Sequence, residues 1–267
     1  MQDSPKPLDE LDASLLKKVR YLFTDFDDTL TLQGRLPAMT LQALYDLEAA
    51  GIRVVPVTGG CAGWSDMMVR VLPIAGVISE GGGVFIQPVQ RSVKYHYFND
   101  KASMRAQQAE LLALIEPRLK QFPTLSLTQD QHFRLTDVAI DYAQDIVPPA
   151  VQEKEALLAD LLNLGLNAKA SSIHINVCQT GVDKYAMTER VLTDFFGVSI
   201  EEAKQCVLYV GDAPNDESMF AQFPLSVGVA NIAPHLNALN HLPRYIANKS
   251  GGEGFAELAA KILAIRI

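Results

Sequence analysis

Three carboxylates stand within four positions of the stretch YLFTDFDDTLT, at Asp25, Asp27 and Asp28. Removing such a cluster from water is costly for every ion left without a counter-charge, so a cation or open solvent must compensate it. Asp212 lies in GDAPND, Lys184 in GVDKYAM and Thr58 in VTGG. Asp25, Asp27 and Asp212 offer hard oxygen ligands of the kind that suits Mg²⁺ keeping some of its waters. A cation held there would offset the carboxylate repulsion and clamp a phosphate oxygen. Lys184 adds a point charge and Thr58 a hydroxyl donor, both useful around a phosphoryl group. A carboxylate can attack phosphorus and divide one difficult hydrolysis into two easier steps. A second carboxyl two residues on can protonate the leaving alcohol and then activate water. The set points to metal-assisted phosphoryl transfer.

These residues need a scaffold that brings distant segments to one edge. Short apolar runs at Val19–Phe26, Ile52–Thr58, Ala75–Ser79, Val207–Val210 and Leu225–Val229 read as buried strands of a parallel sheet. Helical patterns separate them. Thr40 reads as an N-cap ahead of Leu41, Leu44 and Leu47, with Gly51 as the stop. Trp64, Met67, Met68, Val71 and Leu72 follow the spacing of one helix face and read as packing against the sheet. Ser199 with Glu202 gives a capping-box pattern, and Phe255, Leu258, Ala259 and Ile262 give a closing amphipathic helix. Strand alternating with helix at both ends predicts an α/β fold with a doubly wound, Rossmann-like parallel-sheet core. The ligand site of such a sheet lies beyond its strands' carboxyl ends.

The middle of the chain differs. Residues 84–98 and 133–142 read as strands of mixed polarity, and 101–121 and 150–164 as helices. SSIHINV, residues 171–177, alternates: Ser172, His174 and Asn176 fall on one face, and Ile173, Ile175 and Val177 on the other. Such an antiparallel sheet is expected to keep one face free. The expected division is therefore residues 1–86 as the first part of the core, 87–180 as an inserted α+β cap domain, and 181–267 as the second part.

The 267 residues are 48% hydrophobic and 20% charged, ordinary values for a globular protein. A net charge of −8 argues against nucleic acid or an anionic membrane as partner. Cys61, Cys178 and Cys206 are scattered without CxxC spacing, which predicts neither a zinc site nor a disulfide framework. No apolar run approaches membrane-span length and the first twenty residues hold no apolar signal core, so a cytoplasmic protein is expected. Oligomeric state is not legible.

DFDDT resembles the DxDxT signature of the haloacid dehalogenase-like (HAD) superfamily. Thr58, Lys184 and GDAPND stand in order where that superfamily carries its second, third and fourth motifs. A cap inserted between the second and third resembles the Cof-type, or IIB, branch with its C2B cap, whose members include sugar-phosphate phosphatases. The resemblance implies Asp25 as nucleophile and Asp27 as general acid/base, with Asp27 also lending Mg²⁺ its backbone carbonyl. It implies Asp212 as the main metal ligand, with Asn215 and Asp216 supporting it or orienting Lys184. Thr29 would brace the first loop, while Thr58, Lys184 and the Gly59 N–H would hold the phosphoryl group. Two departures stand out: Gly60 replaces a frequent arginine, and Glu80-Gly81-Gly82-Gly83 replaces a frequent Glu-Asn-Gly. The glycine run suggests a junction that flexes.

Other residues are weighed against ordinary structural roles. Asp28 reads as a helix cap or solvated loop residue. His174 and Asn176 either face the core and select substrate or merely cover the cap sheet. Arg134 is a candidate for a second anionic or polyol group, or an ordinary surface arginine. The function expected is Mg²⁺-dependent hydrolysis of a small phosphomonoester, such as a sugar or polyol phosphate, through an aspartyl-phosphate. The alternatives are a sugar phosphomutase, a catalytically silent metal-binding regulator, or a receiver domain, which is far shorter and carries its aspartate on a middle strand.

Overall fold

The computed structural model describes residues 4–266. The core is a six-stranded, wholly parallel sheet. Its strands are β1 (Lys6–Pro7), β2 (Tyr21–Thr24), β3 (Arg53–Pro56), β11 (Val207–Gly211), β12 (Ser226–Gly228) and β13 (Tyr245–Ile246). The spatial order is β1-β13-β12-β11-β2-β3. The chain leaves β2 toward β3 and leaves β11 toward β12 on the opposite side, so the topological switch lies between β2 and β11. Both strands are buried along their whole length, which is why they read as continuous apolar runs.

Three further strands, β4 (Val77–Ser79), β5 (Val84–Val89) and β6 (Ser92–Tyr97), form an antiparallel sheet. A single parallel bridge, Val57 to Ile78, ties it to the core. The cap sheet consists of β7 (Ser126–Leu127), β8 (Val138–Asp141), β9 (Asn167–Ala170) and β10 (His174–Cys178), in the order β7-β8-β10-β9. The α-helices begin with α1 (Ala13–Leu16), α2 (Ala38–Ala49), α3 (Ala62–Val71), α4 (Lys101–Leu119) and α5 (Val151–Asn163). They continue with α6 (Lys184–Arg190), α7 (Ile200–Cys206), α8 (Glu217–Gln222) and α9 (Gly251–Leu263). Among the described residues no helix is long and apolar enough to cross a membrane.

Several expectations need correction. A boundary at residue 87 cuts through β5, whose hairpin pairs with β4, and Val84, Phe85 and Ile86 pack into the core clusters. By pairing, the hairpin goes with the core, and we propose that the cap begins after it. Of residues 133–142 only Val138–Asp141 is strand, because the segment before it bends to meet the core. Thr40 is not an N-cap: α2 starts after Pro37, and the Thr40 hydroxyl donates to the Gly252 carbonyl at 2.9 Å, joining α2 to α9. The face of α3 that packs inward holds Ala62, Ser65, Met68 and Val69, leaving Trp64, Met67 and Val71 half exposed. Periodicity identified the helix but could not tell a core wall from the wall of an open cavity.

The second face of the cap sheet is largely turned onto the core rather than free. Ile175 and Val177 pack with Ile115 of α4 and Leu157 and Leu161 of α5, while His174 and Asn176 are buried on the other side. The glycine run is packed rather than open. Gly82 has φ +117°, and a Cβ there would meet the Asp183 carbonyl oxygen at 2.2 Å. Gly82→Ala must therefore pay for both a left-handed backbone and a backbone clash. It is expected to cost roughly 2–4 kcal/mol in urea unfolding, while Gly34→Ala, also at positive φ but in open space, costs about 1 kcal/mol.

Candidate active site

The carboxyl ends of β2, β3, β11 and β12 converge at the switch point. Asp25 follows β2 directly, and its N–H donates to the Val210 carbonyl at 2.8 Å, extending the ladder by one bond. The turn then closes on itself, with Leu30 and Thr31 both donating to the Phe26 carbonyl. Asp27 and Asp28 are thereby presented at its tip, and Asp28 takes a positive φ of 55°.

Lys184, the first residue of α6, sits among the acids, its ammonium 2.5 Å from Asp25 Oδ1 and 2.6 Å from Asp216 Oδ1. Asp216 also accepts from the Tyr209 hydroxyl at 2.5 Å and from the N–H groups of Asp212 and Ala213 at 2.9 and 3.1 Å. Four donors fully engage this carboxylate, which makes it the anchor of Lys184. Asp212 is held differently. Thr29 Oγ1 donates to its Oδ1 at 3.0 Å, and Asn231 Nδ2 to its Oδ2 at 2.9 Å. Asn231 also accepts from Gly251 N–H, so the end of β12 and the start of α9 fix the Asp212 carboxylate.

One lysine faces more negative charge than it can balance. Burial and the repulsion of Asp216 and Asp27 outweigh the pull of Lys184 and push Asp25 up to about 7. Burial, with Asp25 and Asp216 adding, raises Asp212 well above its usual range. Burial and the Asp28 charge push Asp27 up to about 6 against the pull of Lys184 and Thr58. For Lys184, burial opposes the charge but Asp216 and Asp25 overcome it, so its pKa is raised. Oxygens of Asp25, Asp212 and Asp216 lie within 4.8 Å of one another. A buried, hard-oxygen set with surplus negative charge fits a small divalent cation. Asp25 and Asp212 are the carboxylates free enough to ligate one.

On the other side of the pocket, Thr58 ends the segment after β3. Its hydroxyl accepts from Gly60 N–H at 2.8 Å and lies 3.4 Å from Asp27 Oδ2. The Gly59 carbonyl accepts from two cap residues, Arg134 Nη1 and Asn176 Nδ2, each at 2.9 Å. A Cβ on Gly59 would meet Asn176 Oδ1 at 2.7 Å, so a larger residue would have to displace that amide. Arg134 is not a surface arginine. It is fully buried at the cap–core junction, paired with Asp137 at 3.0 Å and Asp130 at 3.3 Å, with its Nη2 alone left without a partner. Glu80 completes that junction by accepting from Ala62 N on the core side and from Leu135 N and Thr136 N on the cap side. Asn215 is buried with its Oδ1 unpartnered beside Lys184 and Gly59, rather than bonded to the lysine.

Asp27, Thr58 and Gly60 open onto a cavity of about 410 Å³ walled by the cap residues Asp130 and His174 and by Trp64. Asp28, in the turn after Asp27, also lines it. Sequence reasoning did not find Tyr209, Asn231, Asp130 or the supporting role of Glu80. Asn231 left a signal, since it follows the apolar run of β12 just as the motif residues follow theirs.

No protein-family model matches the chain. It is 23% identical over 237 residues to a phosphoglycolate phosphatase of Methanothrix thermoacetophila, covering 88% of this chain and 92% of that protein. Among solved structures, the trehalose-6-phosphate phosphatase C-terminal domain of C. albicans superposes with a TM-score of 0.73 at 15% identity, covering 98% of each chain. A candidate HAD/COF-like hydrolase from Plasmodium vivax superposes with a TM-score of 0.70 at 18% identity, covering 94% of this chain and 98% of that one. The chain has the fold of the HAD-like, Cof-type hydrolases: a parallel-sheet core with an α+β cap inserted.

The acidic centre makes stability depend on pH in a definite direction. Asp25 and Asp27 hold protons more tightly folded than at the ordinary value of 3.8, so their stabilising contribution is present below about pH 4. It is lost as pH rises toward 7. With divalent cations chelated, the protein is expected to melt lower at pH 7.5 than at pH 5.5. Asp25→Asn, which removes one buried charge, is expected to raise the melting temperature at pH 7.5 and flatten the profile; differential scanning calorimetry reads both.

Proposed function

We propose that the protein is a Mg²⁺-dependent phosphatase acting on a small phosphomonoester, such as a sugar or polyol phosphate, through an aspartyl-phosphate. The observation that carries this reading is the buried Lys184 ammonium bridging Asp25 and Asp216 at 2.5 and 2.6 Å, with the nearby Asp27 and Thr58 both lining the open cavity. Similarity to a phosphoglycolate phosphatase and to the fold of a trehalose-6-phosphate phosphatase supports it. Among the alternatives, no observation favours a mutase, and intact Asp25 and Asp27 speak against a silent regulator. Three free, buried cysteines and a net charge of −8 support a cytoplasmic location without a nucleic-acid partner.

Asp25 and Asp212 would hold Mg²⁺, together with the Asp27 backbone carbonyl. Bound there, the cation would neutralise charge on the phosphoryl oxygens. Lys184 engages Asp25 Oδ1 and leaves Oδ2 without a donor among the described residues, free to attack phosphorus. The bond from phosphorus to the ester oxygen breaks as the one to Oδ2 forms, and Asp27 gives its proton to the departing alkoxide. Its elevated pKa keeps that proton available near neutrality. Thr58 and the Gly59 N–H hold the phosphoryl oxygens. Ionised Asp27 then takes a proton from water, which attacks phosphorus and releases inorganic phosphate, restoring Asp25.

The test is phosphate release from a panel of phosphorylated sugars, polyols, nucleotides and small acids. Release is expected with Mg²⁺, to stop with EDTA and to be absent in Asp25→Asn. Asp27→Asn is expected to lower kcat roughly 10²- to 10⁴-fold while leaving KM within a few-fold. Silence of the wild type across the panel, or full activity of Asp25→Asn, would contradict the reading.

A further inference from the structure

The cavity's wall says what kind of molecule it accepts beyond the phosphate. Among the residues lining it there is no lysine or arginine. Asp28 and Asp130 contribute carboxylates instead. Burial opposes the Asp130 charge, but the Arg134 guanidinium behind it holds its pKa below the ordinary value. Neither nearby cation lines the cavity: Arg134 is buried and pairs with Asp137, Asp130 and the Gly59 carbonyl, its Nη2 alone being left without a partner, and Lys184 bridges Asp25 and Asp216.

The cap adds a second feature. His174 is 4% exposed, lines the cavity, and its Nε2 is buried without a hydrogen-bond partner. Burial and the Arg134 charge push this imidazole down to about 4, so it is neutral at physiological pH. A buried neutral ring nitrogen without a partner is costly, and a ligand hydroxyl, both donor and acceptor, can satisfy it. Trp64 stands half exposed in the same wall, offering an apolar ring to the C–H face of a polyol.

Resting on the phosphatase reading for its phosphate end, we infer that this cavity selects a leaving group that carries hydroxyls and no negative charge, with Asp28, Asp130 and His174 as its specificity-determining residues. A leaving group bearing a carboxylate meets the Asp28 carboxylate, the Arg134-paired carboxylate of Asp130 and no lysine or arginine among the lining residues, and like-charge contacts in a walled cavity are unfavourable. The selectivity therefore departs from a carboxylate-bearing ester such as phosphoglycolate, despite the similarity to a phosphatase named for it.

Sorbitol 6-phosphate and 6-phosphogluconate form a matched pair, differing only in CH₂OH against COO⁻ at the far carbon. Trp64 is the chain's single tryptophan, so its fluorescence reports on this cavity directly. Titrating each ester into Asp25→Asn protein with Mg²⁺ avoids turnover. Sorbitol 6-phosphate is expected to bind roughly tenfold or more tightly than 6-phosphogluconate. Asp28→Asn and Asp130→Asn, each added to that background, are expected to narrow the ratio several-fold. A ratio taken on one preparation is independent of its folded fraction. Equal or tighter binding of 6-phosphogluconate overturns the inference, as does absence of any Trp64 response to either ester. Should the binding preference stand while the wild type releases no phosphate, the phosphatase reading falls and the selectivity remains.

Discussion

The structure is organised around a shortage of positive charge. Five aspartates, Asp25, Asp27, Asp28, Asp212 and Asp216, gather at the carboxyl edge of the sheet around the single ammonium of Lys184. Asp25, Asp212 and Asp216 are buried, and burying three carboxylates together is costly unless each is hydrogen-bonded or balanced. The fold deals with them unequally. Asp216 receives four donors and becomes a fixed support, whereas Asp25 keeps an oxygen free, and Asp25 and Asp27 have raised proton affinities. Under the proposed function, the unsatisfied remainder is what would hold a cation and attack phosphorus.

The supports lie where connectivity requires. Strands β2 and β11 are neighbours in the sheet although far apart in sequence, and the side chains after them meet at the switch point. The cap reaches the same place through Gly59, whose carbonyl takes donors from Arg134 and Asn176. The peptide that carries this carbonyl also carries the Gly60 N–H, which donates to Thr58 Oγ1. Cap and catalytic loop are thus joined through one peptide plane, and Glu80 makes a second connection from α3 to Leu135 and Thr136.

Much of this was legible in the sequence because the chemistry sits at the ends of apolar runs. Asp25, Thr58 and Asp212 each follow one, and a buried parallel strand leaves its first polar residues at the sheet's edge. Asp25, Asp27, Thr58 and Asp212 are read from those strand ends and Lys184 from its place at the start of a helix, and the structure brings Lys184 onto Asp25, Thr58 near Asp27, and Asp212 near Asp25. The expected placement of Asn176 on the same strand face as His174 also came from simple alternation. Other features were hidden for physical reasons. Tyr209 stands inside an apolar strand, where nothing in its spacing marks a hydroxyl reaching Asp216. Arg134 reads as a surface residue until the cap is folded onto the core and Asp137 becomes its partner. Trp64 and Met67 keep helical spacing, yet periodicity records only that a face is apolar, not whether protein or an open cavity covers it.

The central claim is that the surplus of buried carboxylate charge is a cation site. Isothermal titration of Mg²⁺ into the protein at pH 7.5, in buffers of different ionisation enthalpy, tests it directly. Binding accompanied by proton release is expected, because raised carboxyl pKa values mean protons are displaced by the metal. Asp212→Asn is expected to abolish the binding isotherm while leaving the fold intact by circular dichroism. Absence of Mg²⁺ binding to the wild type, or unchanged binding to Asp212→Asn, would contradict the account.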